Sequence, residues 1–521
     1  MYFLTVLFWS ISCVLLPVSS ALHITTKTID KFLLPNYDFI IIGGGTSGLV
    51  VANRLSEDVN TTVLVIESGE VDNREAKVVS PGYIGLTPPS PYGKTTVTTP
   101  QIFLDDHVLQ GLVEIGIPIV SGLNEGDSTG AMIVPSSMSP TNQTRSDART
   151  GYFDPAIPRA NLHVVTGHTV TRLILGLPGS RTKQQGRRRI IAVEFSSGPH
   201  GIQRTVTTKR EVILAAGAIQ SPILLQVSGI GPEQVLESLN ISVQIDLPGV
   251  GNNFQDHPMA QFPFEYSNSS IFTSRDLAGD AFNDALDTFL LNQTGPLTVP
   301  LINTVAFLTL QNHTSEGQTL LRHAANQSFD FLPLDTPPSV VTGYRLQKHL
   351  LLSHLARPDV GAYELLAASW GQLSIAAQKP LSRGTVRPST ISVFDPPLVD
   401  PRYCADPFDC KILRLGLQLA GHLAQTAAMA PLQPVVDPRF NTSDERELMA
   451  ALKPLVGTEF HPSGTTAMMP KDLGGVVDDK LMVYGTCNLR VVDAGIMPMT
   501  PGAHIQAAVY AVAEKVWRLI G

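Results

Sequence analysis

The stretch Tyr37 to Asp58, YDFIIIGGGTSGLVVANRLSED, changes its hydrophobic rhythm twice within 22 residues. Asp38 to Ile42 carries Ile40, Ile41 and Ile42 on successive positions, the pattern of a strand covered on both faces in a parallel sheet. After three glycines, apolar residues recur at Leu49, Ala52 and Leu55, a helical spacing, and Thr62 to Ile66 reads as a second buried strand. The same reading predicts a strand pair over NLHVVTGHTVTRLIL and IIAVEFSSG, then a buried strand running through Gly217 into a helix in KREVILAAGAIQSPILLQVSGIGP. From about Gln261 to Lys453 the period becomes two, as in YELLAASW and GQLSIAAQ, which predicts a second domain built on an antiparallel sheet. The C-terminal NLRVVDAGIMPMTPGAHIQAAVYAVAEKVWRLI returns to strand, loop and helix. The proline-rich SPGYIGLTPPSPYGKTTVTTPQ has no periodicity and is expected to be a loop.

Gly43, Gly45 and Gly48 fit G-x-G-x-x-G between the first strand and its helix. In that motif the first glycine permits the tight turn, the second lets a pyrophosphate approach the backbone, and the third lets helix and strand pack closely. The free amides at the helix N-terminus then face an anion. Glu67 ends the second strand 19 residues after Gly48, where a carboxylate accepts hydrogen bonds from an adenosine ribose. The whole unit predicts a dinucleotide, and its spacing admits FAD or NAD.

With 521 residues, 43% of them hydrophobic, the chain can bury more than one core. A net charge of −8 offers nothing to a nucleic acid backbone, and the basic cluster Arg187, Arg188 and Arg189, with Arg181 and Lys183 nearby, is expected at a solvated hairpin tip. Residues 1–21, MYFLTVLFWSISCVLLPVSSA, read as a cleaved signal peptide, although they lack the usual basic n-region; no later run is apolar enough to span a membrane. Eight N-x-S/T sequons, at Asn60, Asn142, Asn240, Asn268, Asn292, Asn312, Asn326 and Asn441, support a secreted protein. Cys13 would leave with the leader, Cys404 and Cys410 are close enough to close a small loop, and Cys487 is left over as a structural residue.

Taken in order, DFIIIGGGTSGLVVANRL, VLVIESG, GAIQSPILLQVSGIGP, LPGVGNNFQDHP, HPSGTTAM and LRVVDAGIMPMTPGAHIQAAVYAVAEK resemble the glucose-methanol-choline (GMC) family of flavoprotein oxidoreductases, fungal aryl-alcohol oxidases and secondary-metabolite oxidases among them. The resemblance implies an α/β fold: a Rossmann-like FAD-binding domain over residues 36–260 and 470–521, and a substrate domain over 261–469. It implies FAD held by Gly43, Gly45, Thr46, Ser47, Gly48, Glu67 and Ser68, with the Val170 backbone at the adenine and Asp493 and Ala494 near the pyrophosphate and flavin. One departure stands out. The family's long insertion with a G-G-S-S-x-x-N signature, which lines the flavin, is absent, and Pro81 to Pro100 sit where it should begin. A more open flavin site, lost flavin chemistry, or skipped coding sequence would each account for this.

Oxidising an alcohol by flavin needs a base for the hydroxyl proton and an acceptor for the hydride; FAD is the acceptor. His461 in FHPSGT and His504 in GAHIQ fall on the two family positions that face the flavin. The resemblance makes His461 the general base and His504 its partner, hydrogen-bonding the substrate oxygen and stabilising developing negative charge. The expected partners are a small-molecule alcohol and O2 or another electron acceptor. No metal motif such as H-E-x-x-H is present, and Asp256 and His257 in QDHP read as a turn bracing the cofactor domain. The competing readings are an acid/base lyase or cyclase on the same fold and a non-catalytic binding protein.

Overall fold

A computed structural model of the chain describes residues 22–80, 103–123, 128–176, 186–273, 276–300, 302–368, 372–440 and 444–520. The leader 1–21, the proline-rich stretch 81–100, Arg181, Lys183 and the sequon at Asn441 lie outside the described residues.

The apolar strand Asn36–Ile42 pairs in parallel with Val63–Ile66 on one side and with Arg204–Leu214 on the other. Leu162–Val165 and then Leu22–Ile24 extend the first side, and Leu489–Val491 runs parallel to Arg204–Leu214. Ile190–Ser196 and Thr169–Leu175 complete the eight strands as an antiparallel meander, the hairpin expected around the arginine cluster. The continuous apolar runs are explained by burial on both faces: Ile40, Ile41, Val63, Leu64, Val212 and Ile213 have no exposed surface. Helix Thr46–Leu55 packs on the C-terminal helix Gln506–Ile520, and Arg54 bonds Glu514 at 2.7 Å across the pair. The last turn of sequence is thereby tied to the first glycine turn.

The second sheet is antiparallel throughout, in the order Pro434–Val436, Pro258–Tyr266, Gln372–Ala377, Tyr363–Ala368, Ile302–Leu308 and Gly130–Ile133. Helix Pro407–Ala424 covers it and shares its core with Phe262, Leu365 and Ile375. Helix Phe103–Glu114 and strand Gly130–Ile133 belong to this second core although they fall within 36–260, the stretch assigned above to the first domain. Cys404 and Cys410 are joined in a disulfide with a Cα–Cα distance of 5.2 Å, and Cys487 is free.

One short pairing does most to build the site. Gly457–Thr458 runs antiparallel to Pro258 and Met259, and Gln255 exchanges backbone hydrogen bonds with Ser463 at 3.0 and 2.8 Å. Segment 255–259 therefore lies alongside 457–463, and His257 meets Glu459 and His461 although some 200 residues separate them.

Candidate active site

Because the central strands are parallel, the residues that follow them share one edge of the sheet: Gly43, Glu67, Thr166, Ala215 and Val492. In an open α/β sheet, ligands bind at this edge, where the strand order reverses. Gly43 has a φ of +104°, and a Cβ on it would lie 2.5 Å from the Ala215 carbonyl oxygen, so only glycine fits where the two turns meet. A Cβ on Gly48 would lie 1.9 Å from the Gly43 carbonyl oxygen, which explains the close packing of helix on strand. At Gly45 no atom of the described residues beyond its own neighbours lies within 4 Å of that position, leaving a backbone cradle that a pyrophosphate can approach. Thr46 opens the helix, and Ser47 is buried beneath it.

Glu67 accepts from the Gly44 amide at 2.6 Å and the Gly69 amide at 2.7 Å, with the Ser68 hydroxyl at 3.3 Å. A carboxylate has about four acceptor positions, so room remains for ribose hydroxyls. The His168 amide bonds the Glu67 carbonyl at 3.1 Å, and Val170 lies just beyond it as the second residue of the strand Thr169–Leu175. The residues present thus fit the adenosine end of FAD. Asp493 also has a structural task. Its carboxylate accepts from the Gly495 amide at 2.8 Å, the Gly217 amide at 3.0 Å and the Ser221 hydroxyl at 2.6 Å, bracing two turns of the sheet edge. Ala494 is buried, and its carbonyl accepts from Gly464 and Met497.

The imidazoles of His461 and His504 lie side by side, with ring centroids 5.5 Å apart. Nε2 of His504 bonds Oε1 of Glu364 at 3.0 Å, which leaves Nδ1 for a substrate. Glu364 stands in the strand Tyr363–Ala368, fully buried, and its Oε2 accepts from Nε2 of Gln378 at 2.9 Å. Burial pushes the Glu364 carboxyl up to about 7, and the Glu364 carboxylate raises His504 to about 9, so the pair holds its proton through neutral pH.

On the other ring, Nδ1 of His461 lies 3.0 Å from Nδ1 of His257 and 3.6 Å from Oε2 of Glu459, and the backbone amide donates to Asp256 at 2.9 Å. Burial pushes Glu459 upward, but the two imidazoles beside it, His257 and His461, outweigh that and hold the carboxyl well below the usual range. Gln378 also donates to Glu459 at 3.2 Å and so bridges the two buried acids. Phe460, at a φ of +64° and 78% exposed, takes the left-handed turn that lets Glu459 and His461 both face inward.

The structure brings together the two sequence-predicted histidines and gathers the glycine turn with Glu67 at the sheet edge. It corrects the reading of QDHP: Asp256 and His257 support His461 directly. Sequence reasoning missed Glu364, Gln378 and Glu459. A signal for Glu364 did exist, since a lone acid inside the apolar run YELLAA is out of place on a buried strand unless it has a task. His257, Glu459 and His461, and likewise Glu364, Glu459 and His504, are close enough to share a metal ion, but most of these contacts already serve as hydrogen bonds or ion pairs among the side chains themselves.

Comparison with known proteins agrees with this geometry. The GMC oxidoreductase family patterns match residues 87–259 and 380–513. GMC oxidoreductase family protein Mala s 12 of Malassezia sympodialis is 29% identical over 92% of this chain and 91% of its own, and dehydrogenase xptC of Emericella nidulans is 29% identical over 95% and 94%. The first alignment runs over 586 positions, more than the 521 residues of this chain, so gaps fall in this chain. Among solved structures, an FAD-dependent oxidoreductase from Chaetomium thermophilum superposes with a TM-score of 0.85 at 26% identity, covering 93% of this chain and 99% of its own. A fungal aryl-alcohol oxidase superposes at 0.80 and 26%, covering 94% and 99%. With a glycine turn, an acid at the end of the neighbouring strand and two convergent histidines on that fold, the chain belongs to the GMC oxidoreductase family and is an FAD-dependent oxidoreductase.

Proposed function

We propose that this enzyme oxidises an alcohol group of a small organic molecule, of the kind made in fungal secondary metabolism, and that it does so after secretion. FAD supplies the hydride acceptor, and O2 or another acceptor takes the electrons onward. His461 removes the hydroxyl proton at Nε2, the nitrogen its neighbours leave unused. His504, kept protonated by Glu364, donates from Nδ1 to the substrate oxygen and stabilises the negative charge that develops there. The observation that carries this reading is the convergence of two imidazoles, each with one nitrogen tied back among buried acids and the other left for substrate. The likeness to a fungal aryl-alcohol oxidase supports the substrate class. Secretion is supported by exposed sequons at Asn60, Asn240, Asn292, Asn312 and Asn326.

The test is anaerobic mixing of the purified enzyme with a panel of aryl and aliphatic alcohols, following loss of the oxidised flavin absorbance. His461→Ala should retain its flavin and slow the reduction by ~10² to 10⁴-fold, the usual contribution of a general base. Reduction of the variant at the wild-type rate would assign the base elsewhere.

A further inference from the structure

His257 carries no exposed side-chain surface, and its Nε2 lies 3.0 Å from the carbonyl oxygen of Pro501. A carbonyl only accepts, so Nε2 of His257 holds a hydrogen. Burial pushes the His257 imidazole down, toward its neutral form, in which Nδ1 is then a bare acceptor. That bare nitrogen faces Nδ1 of His461 at 3.0 Å. One of two facing nitrogens must donate, and only His461 has a hydrogen to give.

We propose that His257 and Glu459 are positioning residues that set the tautomer and the base strength of His461. The Pro501 carbonyl fixes the hydrogen on Nε2 of His257, His257 then accepts from Nδ1 of His461, and Nε2 of His461 is left bare toward the substrate. Glu459, with Oε2 3.2 Å from Nδ1 of His257 and 3.6 Å from Nδ1 of His461, sets a negative charge behind the hydrogen that the two rings share. When the alcohol O–H bond breaks and an N–H bond forms at Nε2, the resulting imidazolium lies against this carboxylate. This half of the reaction transfers a proton and changes no oxidation state.

The inference rests on His461 being the base, and it accounts for the register described above. Pairing of 255–259 with 457–463 puts the two rings edge to face, 5.1 Å between centroids, and Asp256 fixes the backbone of His461 in the same stroke. Among the described residues, the other charged or titratable groups around this unit are already engaged. Glu364 holds His504 at 3.0 Å, Tyr403 donates to Asp256 at 2.6 Å, and Lys379 donates to the Thr500 carbonyl at 3.3 Å. Nε2 of His504 reaches Oε1 of Glu459 only at 3.8 Å.

Two measurements on the FAD-loaded enzyme test the proposal. Nitrogen NMR of the protein with labelled histidine, which needs no substrate, should show His461 protonated at Nδ1 and His257 at Nε2. An Nε2-protonated His461 would overturn the proposal even if alcohol oxidation were established, while failure of every alcohol to reduce the flavin would count against the function and leave this readout intact. In Glu459→Gln the flavin content should match the wild type, the anaerobic reduction rate should fall at least tenfold, and the pH limb on which the base loses its proton should move to lower pH. Glu459→Asp should recover part of the rate and of the limb position. Slower reduction with an unmoved limb, in proportion to lost flavin, would mean that Glu459 only supports the fold.

Discussion

Oε1 of Glu364 and Nε2 of His504 lie 3.0 Å apart across the seam between the antiparallel sheet and the loop that enters the C-terminal helix. The acid comes from a fully buried strand position, and the imidazole retains 40% of its side-chain surface. The carboxylate thus acts from behind on a ring that a substrate can reach. This division of labour makes the protonation of His504 a property of both domains.

Replacing Glu364 with Gln removes the charge that raises His504 to about 9. The imidazole should return toward its ordinary value near ~6.5. Flavin reduction at pH 8 should fall roughly 30-fold and at pH 6 should change little, since an imidazole near ~6.5 is protonated in only about one molecule in thirty at pH 8. An unaltered pH profile would mean that the charge on His504 is not used in the reaction.

Stability should carry the same signature. Both shifts are upward, so the folded chain binds these protons more tightly than the unfolded chain, and stability falls as pH rises. For Glu364 the window runs from its unfolded value near ~4.3 to about 7, and for His504 from ~6.5 to about 9. The unfolding midpoint should therefore decline between pH 5 and 9, and Glu364→Gln should flatten that decline. Denaturant titration across this range measures it.

The glycines of the first turn should separate folding from cofactor binding. Gly48→Ala places a methyl 1.9 Å from a backbone oxygen that has no flexible end to yield, and should destabilise the domain by ~1 to 3 kcal/mol. Gly45→Ala meets no protein atom and should leave the stability of the flavin-free protein nearly unchanged while lowering its affinity for FAD. Thermal unfolding and flavin titration of the two variants would show opposite orders of severity.

Glu67→Ala strips the acceptors from the Gly44 and Gly69 amides and from the ribose together. At ~1.5 to 3 kcal/mol for a hydrogen bond to a charged group, FAD affinity should fall at least tenfold. The flavin released on dilution, read by its fluorescence, checks this.

Enzymatic deglycosylation of protein recovered from the medium should lower its apparent mass. Five of the sequon asparagines are exposed, and Asn142 and Asn268 are half-buried. An unshifted band from secreted material would count against the glycoprotein reading.

Much of the first domain was legible along the chain because its signals are local. Three isoleucines in succession, three glycines and a change of period within 20 residues encode strand, turn and helix, and backbone geometry alone demands Gly43 and Gly48. The antiparallel sheet was legible in the same way, through alternation in YELLAASW and GQLSIAAQ. Pairing is another matter. Leu22–Ile24 is too short to announce itself and becomes a strand only because Leu162–Val165 offers it an edge. The site depends on pairing throughout: His257 reaches His461 across 204 residues of sequence, and Glu364 reaches His504 across 140. Periodicity reports only on neighbours three or four positions away in a helix and two in a strand. Which buried acid stands behind which imidazole was decided by the register of segment 255–259 on 457–463 and by the seam between two sheets, because a one-residue slip in either would turn those side chains to the opposite face.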